Sequence, residues 1–213
     1  MKARLALVLM FAIAVFALLG TTSALAQSAV PAAGKPDLQS IVKKQFGNDF
    51  EVVTDSPMGK LEGAVIAERR DVPWSPILTG DWDGDGVEDA VIIARNKNAL
   101  IGAEAYGYKV VDPFHERYGW GKPKITGEFN VQDPLHNLHL LVIHGSGGEA
   151  WRADTPKAKY VLINIPFEQV SLARGMLKKK PVDAIRVEES DTISSLVFWD
   201  GKKYRYAPGA AMP

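Results

Sequence analysis

The sequence predicts an α+β fold, mainly antiparallel β-sheet in a single domain with a short N-terminal helix. Two continuous apolar runs of strand length, Ala90–Ala94 and Leu138–Ile143, indicate strands buried on both faces. The pair Asp200-Gly201 between two apolar and aromatic runs is a strong hairpin signal. Between Asn96 and Asn137, many glycines and prolines favour loops and short strands over a long helix.

The first residues have the pattern of a secretory signal peptide. Lys2 and Arg4 precede an apolar run from Leu5 to Leu19, and Ala24-Leu25-Ala26 forms an A-x-A processing site. An uncleaved membrane anchor is the alternative, but the apolar run is shorter than the ~20 residues that a spanning helix needs. We therefore expect an exported protein, periplasmic or extracellular, with no membrane span after processing.

This interpretation divides the chain into a signal peptide (1–26), a flexible leader (27–36) and a β-rich globular domain (37–213). Lys and Arg together number 25, as do Asp and Glu, so no basic excess indicates a nucleic-acid partner. The chain has no cysteine, which excludes disulfides and thiol chemistry although export would permit disulfides. Stability must then rest on a core, to which a bound metal could add.

The remaining elements follow from local patterns. Asp37 is placed to cap a helix that ends near Gly47, with Leu38, Ile41, Val42 and Phe46 on one face. Phe167–Lys180 has helical apolar spacing, although Gly175 weakens it. The other predicted strands are Phe50–Thr54, Gly63–Glu68, Tyr160–Ile165, Ser195–Trp199 and Lys202–Tyr206.

The stretch Thr79–Arg95 contains a candidate metal loop that enters a strand. Asp81, Asp83, Asp85 and Asp89 stand at its first, third, fifth and ninth positions, with Gly84 and Gly86 free to adopt positive φ. Carboxylates about 5 Å apart repel by roughly 3 kcal/mol at an effective dielectric near 20, so a loop that brings them together needs a cation. An Asp/Gly-rich turn without metal is the alternative.

Calcium suits this loop best, because Ca²⁺ accepts six to eight oxygen ligands in flexible geometry. An EF-hand shares the acids at positions one, three and five and the glycine at position six, here Gly86. It would need a bidentate Glu at position twelve, where this chain has Ile92. Zinc and copper favour His or Cys ligands, which are absent from this stretch.

The pattern Asp-x-Asp-Gly-Asp-Gly-x-x-Asp entering a strand resembles the calcium loop of FG-GAP and VCBS-type repeats, found in integrin-like β-propellers. The resemblance covers residues 79–95. It implies Ca²⁺ held by the four aspartates and the carbonyl of Val87, with Trp82 as an aromatic anchor beneath the loop. The sequence has one such motif, whereas a propeller needs several blades, so we expect one blade-like calcium hairpin and not a full propeller.

A second candidate site is His144-Gly145-Ser146-Gly147-Gly148, which follows a predicted strand. It is similar to the oxyanion loop of α/β-hydrolases, in which backbone N–H groups stabilise a tetrahedral oxyanion. Ser146 could alternatively be the nucleophile of a degenerate elbow. Because no intact G-x-S-x-G occurs in the chain, a secreted serine hydrolase using Ser146 and His144 is the alternative function and not the main one.

The other histidines and aromatic residues do not indicate a site. His139 and His144 have odd spacing on a strand and should point to opposite faces, which argues against a cluster with His136. Trp74, Trp120, Trp151 and Trp199 are expected in the core more than in a sugar-binding surface. We expect a non-enzymatic, calcium-binding domain that interacts with an envelope or extracellular protein or glycan.

Overall fold

The computed structural model describes residues 37–55, 74–119, 137–177, 180–190 and 192–209, all within the unit Lys35–Pro213. The predicted signal peptide, the leader and the strand Gly63–Glu68 lie outside the described residues. Within the described ranges, no helix has both the length and the apolar character required to cross a bilayer. The fold is α+β and mainly antiparallel β, as predicted.

Six strands form the first sheet, in the order β1-β3-β5-β6-β4, and β2 also pairs with β3. Strand β3 pairs with β5 along one edge, and its other edge is shared by β2 and then β1. All pairs are antiparallel except β4 with β6. The strands are β1 (Glu51–Val52), β2 (Ile77–Gly80), β3 (Asp89–Arg95), β4 (Lys109–Val111), β5 (Leu138–His144) and β6 (Ala158–Leu162).

Four strands in chain order form the second sheet, an antiparallel meander of β7 (Gln169–Leu177), β8 (Lys180–Glu188), β9 (Ser194–Trp199) and β10 (Tyr204–Pro208). The predicted hairpin at Asp200-Gly201 is confirmed: it joins β9 to β10, and Gly201 has φ 95°. The predicted helix Phe167–Lys180 is wrong. Its residues form β7, because pairing with β8 along Gln169–Leu177 outweighs the local helical spacing, and Gly175 is a poor helix residue.

Within the described residues, three short α-helices accompany the sheets: α1 (Leu38–Phe46), α2 (Ala103–Tyr106) and α3 (Pro113–Arg117); a 3₁₀ segment spans Gly147–Arg152. The predicted N-terminal helix is confirmed as α1, which ends at Gly47 with φ 101°. Its predicted cap is wrong, because the side chain of Asp37 makes no capping hydrogen bond.

Apolar side chains fill two cores, one on each face of the first sheet. The core between the two sheets contains Val91, Ile93, Leu140 and Val142 from the first sheet with Ile185, Val187 and Val197 from the second. The other core packs α1 on the opposite face, against Ala90, Ile92, Ala94, Leu141 and Ile143. Strands β3 and β5 are therefore buried on both faces, as their continuous apolar sequences predict.

Candidate metal centre

The Asp-rich loop connects β2 to β3, so it forms the turn of an antiparallel hairpin. The carboxylate of Asp81 organises this turn: Oδ1 accepts hydrogen bonds from the N–H groups of Gly84 (2.8 Å) and Asp85 (3.0 Å), and Oδ2 accepts one from Gly86 (2.9 Å). Gly84 and Gly86 have φ of 74° and 87°, a conformation that favours glycine. The two glycines thus allow the backbone conformation of the loop, and the hydrogen bonds to Asp81 stabilise it.

The four predicted aspartates fall into two overlapping groups that could hold a metal ion. Asp81, Asp83 and Asp85 each offer one carboxylate oxygen, and these oxygens lie within 4.8 Å of one another. Asp83 also belongs to a second group with Asp89 and His144, under the same distance limit. Val87 lies in the same turn, where its N–H donates to Oδ1 of Asp85 at 2.9 Å. The aspartates that the sequence selected are therefore neighbours in space.

Asp89 is the buried acid of the site, only 1% exposed at the start of β3. Its Oδ2 accepts the N–H of Trp82 (2.9 Å) and its Oδ1 accepts the N–H of Gly145 (2.7 Å). Burial raises the pKa of Asp89 to about 7; the negative charges of Asp83 and Asp85 add to the rise, while the two N–H donors oppose it. A cation nearby would favour the ionised form of this carboxyl.

Trp82 is buried beneath the loop, 1% exposed, in the core between the sheets. This is the place expected for an aromatic anchor. Its indole Nε1 has no hydrogen-bond partner among the described residues.

Lys157 supplies a positive charge that sequence reasoning missed. Its Nζ donates to Oδ2 of Asp83 at 2.7 Å and to Oδ2 of Asp85 at 2.5 Å. These hydrogen bonds raise the pKa of Lys157 and lower that of Asp85. Lys157 is 74 residues from Asp83 in the chain, so no local pattern signals the contact.

His144 joins the same cluster from the end of β5. Its Nδ1 lies 3.1 Å from Oδ2 of Asp83, and its Nε2 lies 2.6 Å from the hydroxyl of Tyr204. The ring packs against Tyr160, Trp199 and Tyr204. Burial lowers the pKa of His144, and the negative charge of Asp83 opposes that shift.

Sequence reasoning considered His144 as an ordinary core residue or as part of the alternative hydrolase site, and it found no histidine near the acid loop. The signal that could have found it is strand pairing: Ala90 pairs with Ile143 in the antiparallel β3–β5 register. The residue before Ala90 is Asp89 and the residue after Ile143 is His144, so the pairing brings the two together.

The loop is also attached to the second sheet. The N–H of Asp81 donates to Oδ2 of Asp183 at 2.9 Å, and the N–H of Asp183 donates to the carbonyl of Asp81 at 3.2 Å. Asp183 lies on β8. Gly80 permits this contact, because a Cβ at that position would lie 2.7 Å from Oδ2 of Asp183.

The glycine turn after β5 supports the acid loop. The N–H of Gly145 donates to Asp89, and the N–H of Ser146 donates to the carbonyl of Ala150 at 3.0 Å. The N–H groups of Gly145 and Ser146 are therefore both engaged within the protein. Nδ1 of His144 faces Asp83 and Nε2 faces Tyr204. Among the described residues, no hydrogen bond joins His144 to Ser146. The arrangement lacks the nucleophile–base contact of a serine hydrolase.

The other predicted residues lie elsewhere. His139 occupies the opposite face of β5 from His144, as its spacing predicts, with Nε2 2.9 Å from the carbonyl of Asn96. Trp151 is buried, and Trp74 and Trp199 pack partly buried against the inter-sheet core. His136 and Trp120 are outside the described residues.

These ligand atoms suit two kinds of cation. The oxygen set of Asp81, Asp83 and Asp85 is of the type that Ca²⁺ prefers. The mixed set of Asp83, Asp89 and His144 has the imidazole that transition metals favour. Comparison of the chain with family models, curated proteins and solved structures found no match.

Proposed function

We propose that the loop from Asp81 to Asp89 binds Ca²⁺ and that the ion has a structural role. One observation carries the proposal: carboxylate oxygens of Asp81, Asp83 and Asp85 lie within 4.8 Å of one another on a glycine-containing hairpin turn. The resemblance of residues 79–95 to the FG-GAP and VCBS calcium loop supports it. That resemblance adds the carbonyl of Val87 and the carboxylate of Asp89 as further ligands.

A structural role fits the position of the loop. It joins β2 to β3, contacts β8 through Asp183 and is anchored by the buried Trp82. An ion there would hold together segments of both sheets. Catalysis is not needed to explain this arrangement, and the engaged N–H groups of Gly145 and Ser146 do not favour the hydrolase function.

The cellular role stays a prediction from the sequence. The pattern of residues 1–26 supports export to the periplasm or the cell exterior, where millimolar calcium is available to a weak site. In that setting we expect the domain to interact with an envelope or extracellular protein or glycan. Calcium would keep the domain in its binding-competent shape.

Thermal unfolding with CaCl₂ and with EDTA tests the calcium site. With a Kd of about 0.1 mM, typical of extracellular modules, about 1 mM Ca²⁺ stabilises the fold by ~1.4 kcal/mol. For a domain of this size we expect Tm to rise by about 3–6 °C. The double variant Asp83→Ala, Asp85→Ala should lose this rise, because it removes two ligands.

The matched control is Asp154→Ala, which removes an exposed acid paired with Lys44 outside the loop. It should keep the full calcium response. The same thermal unfolding measurements with Mg²⁺ and with Zn²⁺ show which ligand set binds an ion. A rise in Tm with Zn²⁺ indicates the mixed set that contains His144, and a rise with Ca²⁺ indicates the oxygen set. An unchanged Tm of the unsubstituted protein at 10 mM Ca²⁺ contradicts the proposal, as does an equal response in the double variant.

A further inference from the structure

The ammonium group of Lys157 lies between the two carboxylates that the proposed ion would use. Nζ is 2.7 Å from Oδ2 of Asp83 and 2.5 Å from Oδ2 of Asp85. Lys157 is not part of the acid loop; it immediately precedes β6. The cluster therefore already holds a cation, one that another part of the chain supplies.

The backbone fixes the position of this lysine. Its N–H donates to the carbonyl of His144 at 3.0 Å, and the next residue, Ala158, pairs with His144 in the β5–β6 register. The side chain of Asp83 is only 5% exposed, whereas that of Lys157 is 49% exposed. The backbone of Lys157 is thus held in place, and its half-exposed side chain has room to move into solvent.

An ion coordinated by Oδ2 of Asp83 and Oδ2 of Asp85 would compete with the ammonium group for these two atoms. Ca²⁺ binds carboxylate oxygens at about 2.3–2.6 Å, and Nζ is already within hydrogen-bonding distance of the same two carboxylates. Two cations sharing these oxygens would lie a few ångströms apart and repel each other strongly. Ca²⁺ bound through these Oδ2 atoms would therefore release Lys157 from Asp83 and Asp85.

We propose that Lys157 is a tethered competitor of the metal, which neutralises Asp83 and Asp85 when no ion is bound and leaves when Ca²⁺ binds. This inference rests on the proposed calcium function and adds its regulation. The site then responds to changes in calcium concentration and does not hold the ion permanently.

Calorimetric titration of the purified protein with CaCl₂ tests this competition. Lys157→Gln removes the ammonium and retains a side chain of similar length. We expect its Kd for Ca²⁺ to be about tenfold lower than that of the unsubstituted protein, because the ion no longer displaces a salt-bridged cation. Lys203→Gln is the matched control: it removes a lysine paired with Glu116, away from the loop, and should leave Kd unchanged.

A second measurement follows the lysine itself. Acetylation of Lys157 by a water-soluble reagent, read by peptide mass spectrometry, should become faster when Ca²⁺ is added. Acetylation of Lys203 should not change. This readout does not require a variant, so it remains valid if Lys157→Gln folds poorly.

The outcomes separate this inference from the proposed function. Equal Kd values in the unsubstituted protein and Lys157→Gln, or weaker binding by the variant, overturn the competition and leave the calcium site standing. If Lys157→Gln binds Ca²⁺ and the unsubstituted protein does not, the competition is supported. In that case Lys157 occupies the site in the native protein, and the proposed calcium binding by the native protein is contradicted. Absence of binding in both overturns both proposals.

Discussion

Gly145 is where the backbone after β5 comes closest to the acid loop. A Cβ at this residue would lie 2.3 Å from the carbonyl oxygen of Glu88 and 2.8 Å from the carbonyl carbon of Ala150. Both neighbours are backbone atoms, which cannot turn aside as a side chain can. Gly145 therefore permits the short approach that lets its N–H bind Asp89.

Gly145→Ala should destabilise the protein by about 2–3 kcal/mol, because the backbone must move to relieve the clash. The movement would also lengthen the hydrogen bond to the buried Asp89. Urea unfolding followed by fluorescence measures this loss as a lower midpoint with an unchanged slope.

The matched control is Gly148→Ala, in the same turn. A Cβ there meets no atom within 4 Å, and Gly148 is not among the positive-φ residues, so stability should change by less than about 0.5 kcal/mol. Equal losses in the two variants would contradict the close-approach explanation.

At the level of single residues, the sequence identified aspartates that lie close together in the structure and missed the groups that contact them. Asp81, Asp83, Asp85 and Asp89 are close along the chain, and their spacing determines how a tight loop presents them. Their partners, such as Lys157 and His144, are brought to the loop by strand pairing and sheet packing. A local pattern carries no information about contacts of that kind.

Among the elements, the turn of the β9–β10 hairpin contains a carboxylate, that of Asp200, whose charge contributes to stability. Burial alone would raise the pKa of Asp200, but hydrogen bonds from Arg205 and from the N–H groups of Lys203 and Lys202 outweigh it and lower the pKa to about 2. The ordinary value is 3.8. The ionised carboxylate therefore stabilises the turn at neutral pH.

A pH dependence follows from the direction of this shift. Because the pKa of Asp200 is lower in the folded protein, its contribution is fully present above pH ~4 and is lost as the pH falls through ~2. Asp200→Asn should cost about 1 kcal/mol at pH 7, after allowance for solvent screening, and little near pH 2. Urea unfolding of both proteins at several pH values measures the difference.

Asp154→Asn provides the control, since its exposed carboxylate should contribute little at any pH. An equal cost of Asp200→Asn at pH 7 and pH 2.5 would assign the effect to side-chain shape and not to charge.

Whether an element could be predicted depended on how local its determinants are. Strands β3 and β5 and the hairpin at Asp200-Gly201 were predicted because burial on two faces and turn chemistry both leave local patterns. Strand β7 was not, because its conformation depends on pairing with β8. The strand also carries exposed Leu172 and Met176, which obscure the strand alternation.

The described residues form three layers, and the acid loop lies where two of them meet. Helix α1 covers one face of the first sheet and the second sheet covers the other. The loop belongs to the first sheet through β2 and β3, but it bonds to β8 through Asp183 and is linked to β10 through His144 and Tyr204. The site is therefore complete only when the two sheets are packed together.

This dependence on distant segments has a kinetic consequence. The contacts of the loop with Gly145, Lys157 and Asp183 span 56, 74 and 102 residues, and the cost of closing such long connections places them late in folding. An ion that binds only the assembled loop should slow unfolding, by about tenfold at 1 mM Ca²⁺, and leave the folding rate nearly unchanged.

Stopped-flow measurements of both rates with Ca²⁺ and with EDTA check this, and faster folding with unaltered unfolding would place the loop early instead. If only unfolding slows, calcium lengthens the lifetime of the folded protein without accelerating its formation.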